Sequence, residues 1–210
     1  MKDINDWYKD KGDETLMLDW PINANSVVVD LGAYWGRWSI AMSKRHNSQI
    51  FAYEPVKKFY NEAVKKLTGH RNVKLFNYGV YKESGTIGVG VKEDSSGIWT
   101  DAPKEPCEFR DVSDVMKDLP GPVDVMCMNI EGAEYDLLDA MLARKLIPRV
   151  KFLVVQFHDV KDPLHTENVL GARAMKIRDG LSMTHDLKWQ YSVWETWEKR
   201  READLANPSP

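Results

Sequence analysis

The chain reads as a single α/β domain built on a mostly parallel sheet with helices on both faces. Three observations predict this. Apolar, strand-like runs alternate with amphipathic, helix-spaced stretches along the 210 residues. The first run, Val27-Val28-Val29, passes through Asp30-Leu31-Gly32-Ala33-Tyr34-Trp35-Gly36 into the helical stretch Arg37-Trp38-Ser39-Ile40-Ala41-Met42. A buried strand, a glycine turn and a helix in that order open a nucleotide-binding βαβ unit. A second strand, Ile50-Phe51-Ala52-Tyr53, ends in Glu54-Pro55, about twenty residues past the first glycine, where an acidic side chain would accept hydrogen bonds from ribose hydroxyls.

The other elements follow in order. Phe59 to Leu67 has helical spacing and ends near Gly69, and Val73-Lys74-Leu75-Phe76 is a third strand. Residues 82 to 100 are rich in Gly, Ser and Thr and predict a hairpin excursion. Pro103 and Pro106 mark a loop, and Val112 to Leu119 a short helix before Pro120-Gly121-Pro122. Val123 to Met128 is a fourth core strand, followed by a helix from Glu134 to Lys145, and Phe152 to Phe157 is a fifth strand. A helix from Glu167 to Gly180 precedes two closing strands, Thr184 to Trp189 and Tyr191 to Trp197. Alternation along the last strand puts Tyr191, Val193, Glu195 and Trp197 on one face and Trp194 on the other. Residues 1–20 are expected as a helical or extended lead-in, 21–199 as the domain, and 200–210 as a polar tail that frays.

The glycine spacing bears on the ligand. A dinucleotide fingerprint needs glycines at its first, third and sixth positions so that a pyrophosphate can sit on the helix. Here glycine stands only at 32 and 36, with bulky Tyr34 and Trp35 between them. That disfavours a nicotinamide dehydrogenase. A phosphate-free nucleoside with a charged amino-acid tail, S-adenosylmethionine, fits better.

Composition narrows the classes further. A formal net charge of -3, from 29 Lys and Arg against 32 Asp and Glu, gives no general basic field for nucleic acid. Lys57-Lys58 and Lys65-Lys66 read as helical surface charges. No apolar run is long enough to span a bilayer, and Met1-Lys2-Asp3-Ile4 does not begin a signal peptide. Cys107 and Cys127 sit in strand-like surroundings as buried free thiols. A soluble, cytoplasmic protein with neither a nucleic-acid nor a membrane partner is the expectation.

In an open parallel sheet, ligands bind beyond the carboxyl ends of the strands. Side chains just past those ends share one crevice although they are distant in sequence. Here they are Gly32 to Gly36, Glu54-Pro55, Gly79-Val80, Asn129-Ile130-Glu131-Gly132 and His158-Asp159.

These blocks carry a resemblance. Asp30 to Gly36, Tyr53-Glu54-Pro55, Asn129-Ile130-Glu131-Gly132-Ala133-Glu134-Tyr135, Gln156-Phe157-His158-Asp159 and Val193-Trp194-Glu195-Thr196-Trp197 together resemble the FkbM family of S-adenosylmethionine-dependent methyltransferases. The similarity runs from about Trp20 to Trp197, and the Glu-Gly-Ala-Glu block is its most particular part. The resemblance implies a seven-stranded, Rossmann-like sheet whose last strands form an antiparallel hairpin. It also implies O-methylation of a hydroxyl, commonly on a sugar or polyketide, so a glycan or small-molecule acceptor is expected. Many members carry Asp where this chain has Asn129; members with Asn there are also familiar.

Roles follow from position and chemistry. Cofactor contacts are expected from Asp30, Gly32, Ala33, Tyr34, Gly36, Glu54, Pro55, Gly79, Val80 and Asn129. A sugar hydroxyl is a poor nucleophile, so a base is expected; His158 is the first candidate, because a neutral imidazole can accept a proton near neutral pH. Glu131 and Asn129 stand beside it, Glu131 to hold an acceptor hydroxyl or the methionine ammonium. Glu134 begins a helix, where a carboxylate complements the dipole, and reads as structural. Trp35, Asp159, His185, Tyr191, Trp194 and Glu195 are expected to contact the acceptor, with His185 as the alternative base. No metal is expected, although Asn129, Glu131 and Asp159 could instead cluster around a divalent cation. A module that binds the nucleoside without turnover is the competing class.

Overall fold

The computed structural model describes residues 2–158, 169–192 and 194–201, apart from the side chains at 94, 169 and 170. Expectations for Asp159, Val193 and the tail beyond 201 lie outside the described residues.

A seven-stranded sheet organises the chain. Its strands are β1 (Val27–Leu31), β2 (Gln49–Tyr53), β3 (Val73–Phe76), β7 (Val123–Met128), β8 (Val150–Gln156), β9 (His185–Gln190) and β10 (Trp194–Lys199). They lie in the order β3-β2-β1-β7-β8-β10-β9. The first five are mutually parallel, and β10 pairs antiparallel with both β8 and β9. The order reverses between β1 and β7, which makes the end of β1 the topological switch point.

Strand alternation builds two cores, one on each face. Val27, Val29, Leu31, Met126, Met128, Leu153 and Val155 face one side, with α4 (Val112–Asp118), α5 (Glu134–Ala143) and α6 (Val169–Ser182). Val28, Val125, Cys127, Phe152 and Val154 face the other, with Met42 of α2 (Arg37–His46) and with Trp7, Met17 and Trp20 of the N-terminal segment. That segment carries α1 (Ile4–Lys9), capped by the reciprocal Asp3–Asp6 hydrogen bonds. Trp7 buries itself among Trp189, Tyr191 and Trp194. Helix α3 (Lys57–Lys66) follows β2. The charged outer positions of α2 and α3 and the fully buried β1 reflect their places at the surface and in the middle of a parallel sheet.

Between β3 and α4 the chain leaves the main sheet. Strands β4 (Gly79–Tyr81), β5 (Gly85–Gly90) and β6 (Lys104–Asp111) form a second sheet in the order β4-β6-β5. The predicted loop at Pro106 is therefore part of a strand. Pro106 pairs with Gly88 of β5, while β4 flanks β6 only at 109–111, so among the described residues β6 has a partner strand on one side alone at the proline.

The last hairpin also departs from the alternation expected of it. The Tyr191 N–H donates to the Trp194 carbonyl (2.8 Å), which makes Tyr191 part of the turn. Tyr191 thus joins the Trp7 cluster with Trp194, while Trp197 faces the opposite core. Among the described residues no helix is long and apolar enough to cross a membrane.

Candidate active site

Two clefts open where the carboxyl ends of β1, β2 and β7 converge, and Gly32 and Asn129 line both. These two residues form the wall between them. Gly32 has φ +83°, and a Cβ there would stand 2.0 Å from the Asn129 carbonyl oxygen. The glycine is thus required by the contact between two strand ends, as well as by the turn. Asn129 Oδ1 is buried and has no hydrogen-bond partner among the described residues. An acceptor left bare at the meeting point of two clefts suits a donor on a ligand.

The first cleft lies under the three-stranded sheet. Tyr34, Glu54 and Pro55 line it from the β1 and β2 ends, Gly79 and Val80 from β4, and Glu131 from the β7 end. Glu54 is 5 % exposed. Its carboxylate accepts the backbone N–H of Tyr34 (2.8 Å) and of Val56 (2.8 Å). Burial pushes its pKa up to about 8, against the pull of those two donors. Asn77 fixes the adjoining main chain by donating to the Glu54 and Pro55 carbonyls.

The second cleft lies on the opposite side of Gly32. Asp30, Ala33, Arg37 and Trp194 line it, and the N-terminal segment contributes Asp13 and Met17. Asp30 is buried and accepts the Ser39 hydroxyl at 2.6 Å; burial raises its pKa to about 6. An acid with one strong donor and, among the described residues, no ion pair is a positioning element for the turn.

At the β7 and β8 ends, three side chains interlock. His158 Nε2 stands 3.1 Å from Glu131 Oε1, and His158 Nδ1 stands 3.1 Å from Glu134 Oε1. Glu134 is wholly buried and also accepts the backbone N–H of His158 (2.7 Å) and of Gly132 (2.8 Å). Tyr135 donates its hydroxyl to the His158 carbonyl at 2.9 Å. Burial works against a charged ring, but the hydrogen bonds to Glu131 and Glu134 outweigh it and push the His158 pKa up to about 9. The neutral imidazole expected near pH 7 thus meets two carboxylates that favour the protonated ring. Glu134 clamps His158 and the Gly132 turn as well as starting α5.

Several expected contacts fall elsewhere. His185 is fully buried at the start of β9, its Nε2–H donating to the Val150 carbonyl (2.9 Å), at the amino end of β8. It stands at the opposite end of the sheet from both clefts, because β9 runs parallel to β8. Glu195 is 2 % exposed and occupied by Arg178, Gln190 and Trp197. Tyr191 is buried against Trp7, its hydroxyl on Asp10 at 2.6 Å. Trp35 stacks on Tyr34 with Lys66 over its ring and lines neither cleft. Gly36, at φ +73°, lines neither cleft; its α-carbon faces Ala63 of α3 and Leu67 just beyond that helix. Trp194 does reach the second cleft.

Other lining residues escaped the sequence reading. Ser96, Gly97 and Ile98 close the first cleft from the β5–β6 connection, and a Cβ on Gly97 would meet Glu131 Cβ at 2.7 Å. No local signal marks them, because their place depends on how β5 pairs with β6. Arg37 had a signal: it is the first residue of the helix that the glycine turn opens. Among the described residues, no group of three or more His, Cys, Asp or Glu is arranged to hold a metal ion.

Comparison of the chain with protein-family models and with curated proteins finds no match. Comparison with solved structures does. A candidate rRNA methylase from Clostridium thermocellum superposes with a TM-score of 0.58 at 14% identity, over 96% of this chain and 98% of that one. A candidate methyltransferase from Streptococcus mutans in complex with SAH matches with a TM-score of 0.53 at 12% identity, over 92% and 97%. Methyltransferase FkbM from Methylobacillus flagellatus KT matches with a TM-score of 0.52 at 12% identity, over 84% of this chain and 44% of that longer one. At such identities the likeness establishes architecture, and the architecture of this chain is the Rossmann-like fold of those methyltransferases.

Proposed function

We propose that the protein is an S-adenosylmethionine-dependent methyltransferase that methylates a hydroxyl on a sugar, glycan or related small metabolite. The observation that carries this reading is the pair of clefts meeting at Gly32 and Asn129, beyond the ends of β1 and β7. An extended ligand with a nucleoside at one end and an amino acid at the other has room on both sides of that wall.

The residues present fit such a ligand. Glu54 lines the first cleft at the end of β2, where ribose hydroxyls would meet it. Asn129 Oδ1 offers an unused acceptor to an ammonium, and Arg37 offers a cation to a carboxylate in the second cleft. S-adenosylmethionine supplies a methyl already activated on a sulfonium. What remains for the chain is to align the acceptor, exclude water and receive a proton. Gly97 and its neighbours roof the first cleft, and Glu131 presents a carboxylate within it.

Calorimetry with S-adenosylmethionine and S-adenosylhomocysteine tests the cofactor, and release of S-adenosylhomocysteine with a panel of methyl glycosides and other hydroxyl compounds tests the reaction. Micromolar binding with acceptor-dependent release is expected. Binding with no release across broad acceptor classes would favour a non-catalytic module, and NADH binding in place of S-adenosylmethionine would point to a dehydrogenase.

A further inference from the structure

We propose that Glu131, and not His158, takes the acceptor's proton, and that His158 and Glu134 position its carboxylate. The inference rests on the methyltransferase reading above and assigns the base within it.

The geometry leaves His158 without a free nitrogen. Both ring nitrogens stand 3.1 Å from carboxylate oxygens, Nε2 at Glu131 and Nδ1 at Glu134. A ring that faces an acceptor on each side donates from both nitrogens and has no lone pair for a substrate proton. Glu134 is no better placed. It is fully buried, and its oxygens already receive Gly132 N–H, His158 N–H and the His158 ring. Glu131 alone of the three lines the first cleft. Its backbone is left-handed, with φ +52°, an uncommon conformation for a residue with a side chain. Gly97 stands over it from the roof, so close that a Cβ there would meet Glu131 Cβ at 2.7 Å.

A carboxylate is a sufficient base here. The hydroxyl becomes strongly acidic only as its oxygen bonds to the methyl carbon, so a weak base placed beside it can receive the proton during that step. In the step, the acceptor oxygen bonds to the methyl and the methyl–sulfur bond breaks, its electron pair staying on sulfur as the neutral thioether. The hydroxyl proton passes to Glu131, which returns it to water. The charged groups facing His158 among the described residues are Glu131 and Glu134, so the ring remains a cation while Glu131 cycles. The upward pKa shift of the ring agrees with this arrangement.

Imidazole NMR on the intact chain, with turnover against methyl glycosides, tests the assignment. At pH 7.5 both His158 nitrogens should be protonated. Glu131→Gln should lower turnover about 10²–10⁴-fold, and Glu131→Asp should restore part of it. With S-adenosylmethionine saturating, so that titration of Glu54 in the cofactor cleft does not limit the rate, wild-type turnover should be level between pH 7 and 8.5, whereas a neutral His158 base would make it climb about tenfold per pH unit there. A His158 ring with one bare nitrogen at pH 7.5 would overturn the assignment whatever the turnover. So would full activity in Glu131→Gln. Calorimetry with S-adenosylmethionine separates the two levels: loss of wild-type binding removes the methyltransferase reading, while intact binding with a neutral ring removes only the role of Glu131.

Discussion

The backbone N–H of Tyr34 donates to the Glu54 carboxylate at 2.8 Å, and this bond ties the turn after β1 to the end of β2. The same carboxylate takes Val56 N–H, so one side chain shapes the rim of the first cleft from two directions. Glu54→Ala should weaken S-adenosylmethionine binding by about 1–3 kcal/mol, both by removing an acceptor and by freeing the rim. Calorimetry on the folded variant checks this, and unchanged affinity would remove Glu54 from the site.

Glu54 also makes stability depend on pH. Its folded pKa of about 8 lies above the ordinary 4.5, so between these values the unfolded chain has released a proton that the folded chain keeps. Stability from this group is greatest below pH 4.5 and declines as pH rises to about 8. Urea titrations at several pH values should show a shallower decline in Glu54→Gln than in the wild type.

His158 contributes in its own window. Its folded pKa of about 9 exceeds 6.5, so its contribution is complete below pH 6.5 and is lost as pH rises through 9. His158→Asn should flatten the stability profile between those values. An unchanged profile would mean that the two carboxylates do not hold the ring charged.

Gly32→Val should damage the protein more than any change at Glu54. The new side chain would collide with the Asn129 carbonyl and occupy a strained φ of +83°, a loss of more than about 3 kcal/mol. Chemical denaturation reads the loss directly. A variant with wild-type stability would show that the two strand ends separate readily.

His185 provides the contrast. Truncation to Ala leaves a cavity and orphans the Val150 carbonyl, so a loss of about 2–4 kcal/mol is expected with unchanged S-adenosylmethionine affinity. Weakened cofactor binding in a stable His185→Ala protein would contradict its placement at the far end of the sheet.

By itself the sequence determined the layered α/β fold, the strand–turn–helix around Gly32 and the convergence of Glu54, Asn129 and Glu131 at one end of a sheet. Those features are local: an unbroken apolar run, a glycine that must adopt positive φ, and the rule that parallel strands point their ends the same way. Tertiary structure decided the rest. The tautomer and charge of His158 depend on two carboxylates that surround it across space, and Glu134 lies 24 residues away along the chain. The fates of Tyr191, Glu195 and His185 were set by a turn, an arginine on α6 and a sheet register, none of which shows in a residue's own neighbours. The roof at Gly97 exists only because β5 and β6 pair. A side chain's chemistry is written in the sequence, but its protonation and its exposure are properties of the company it keeps.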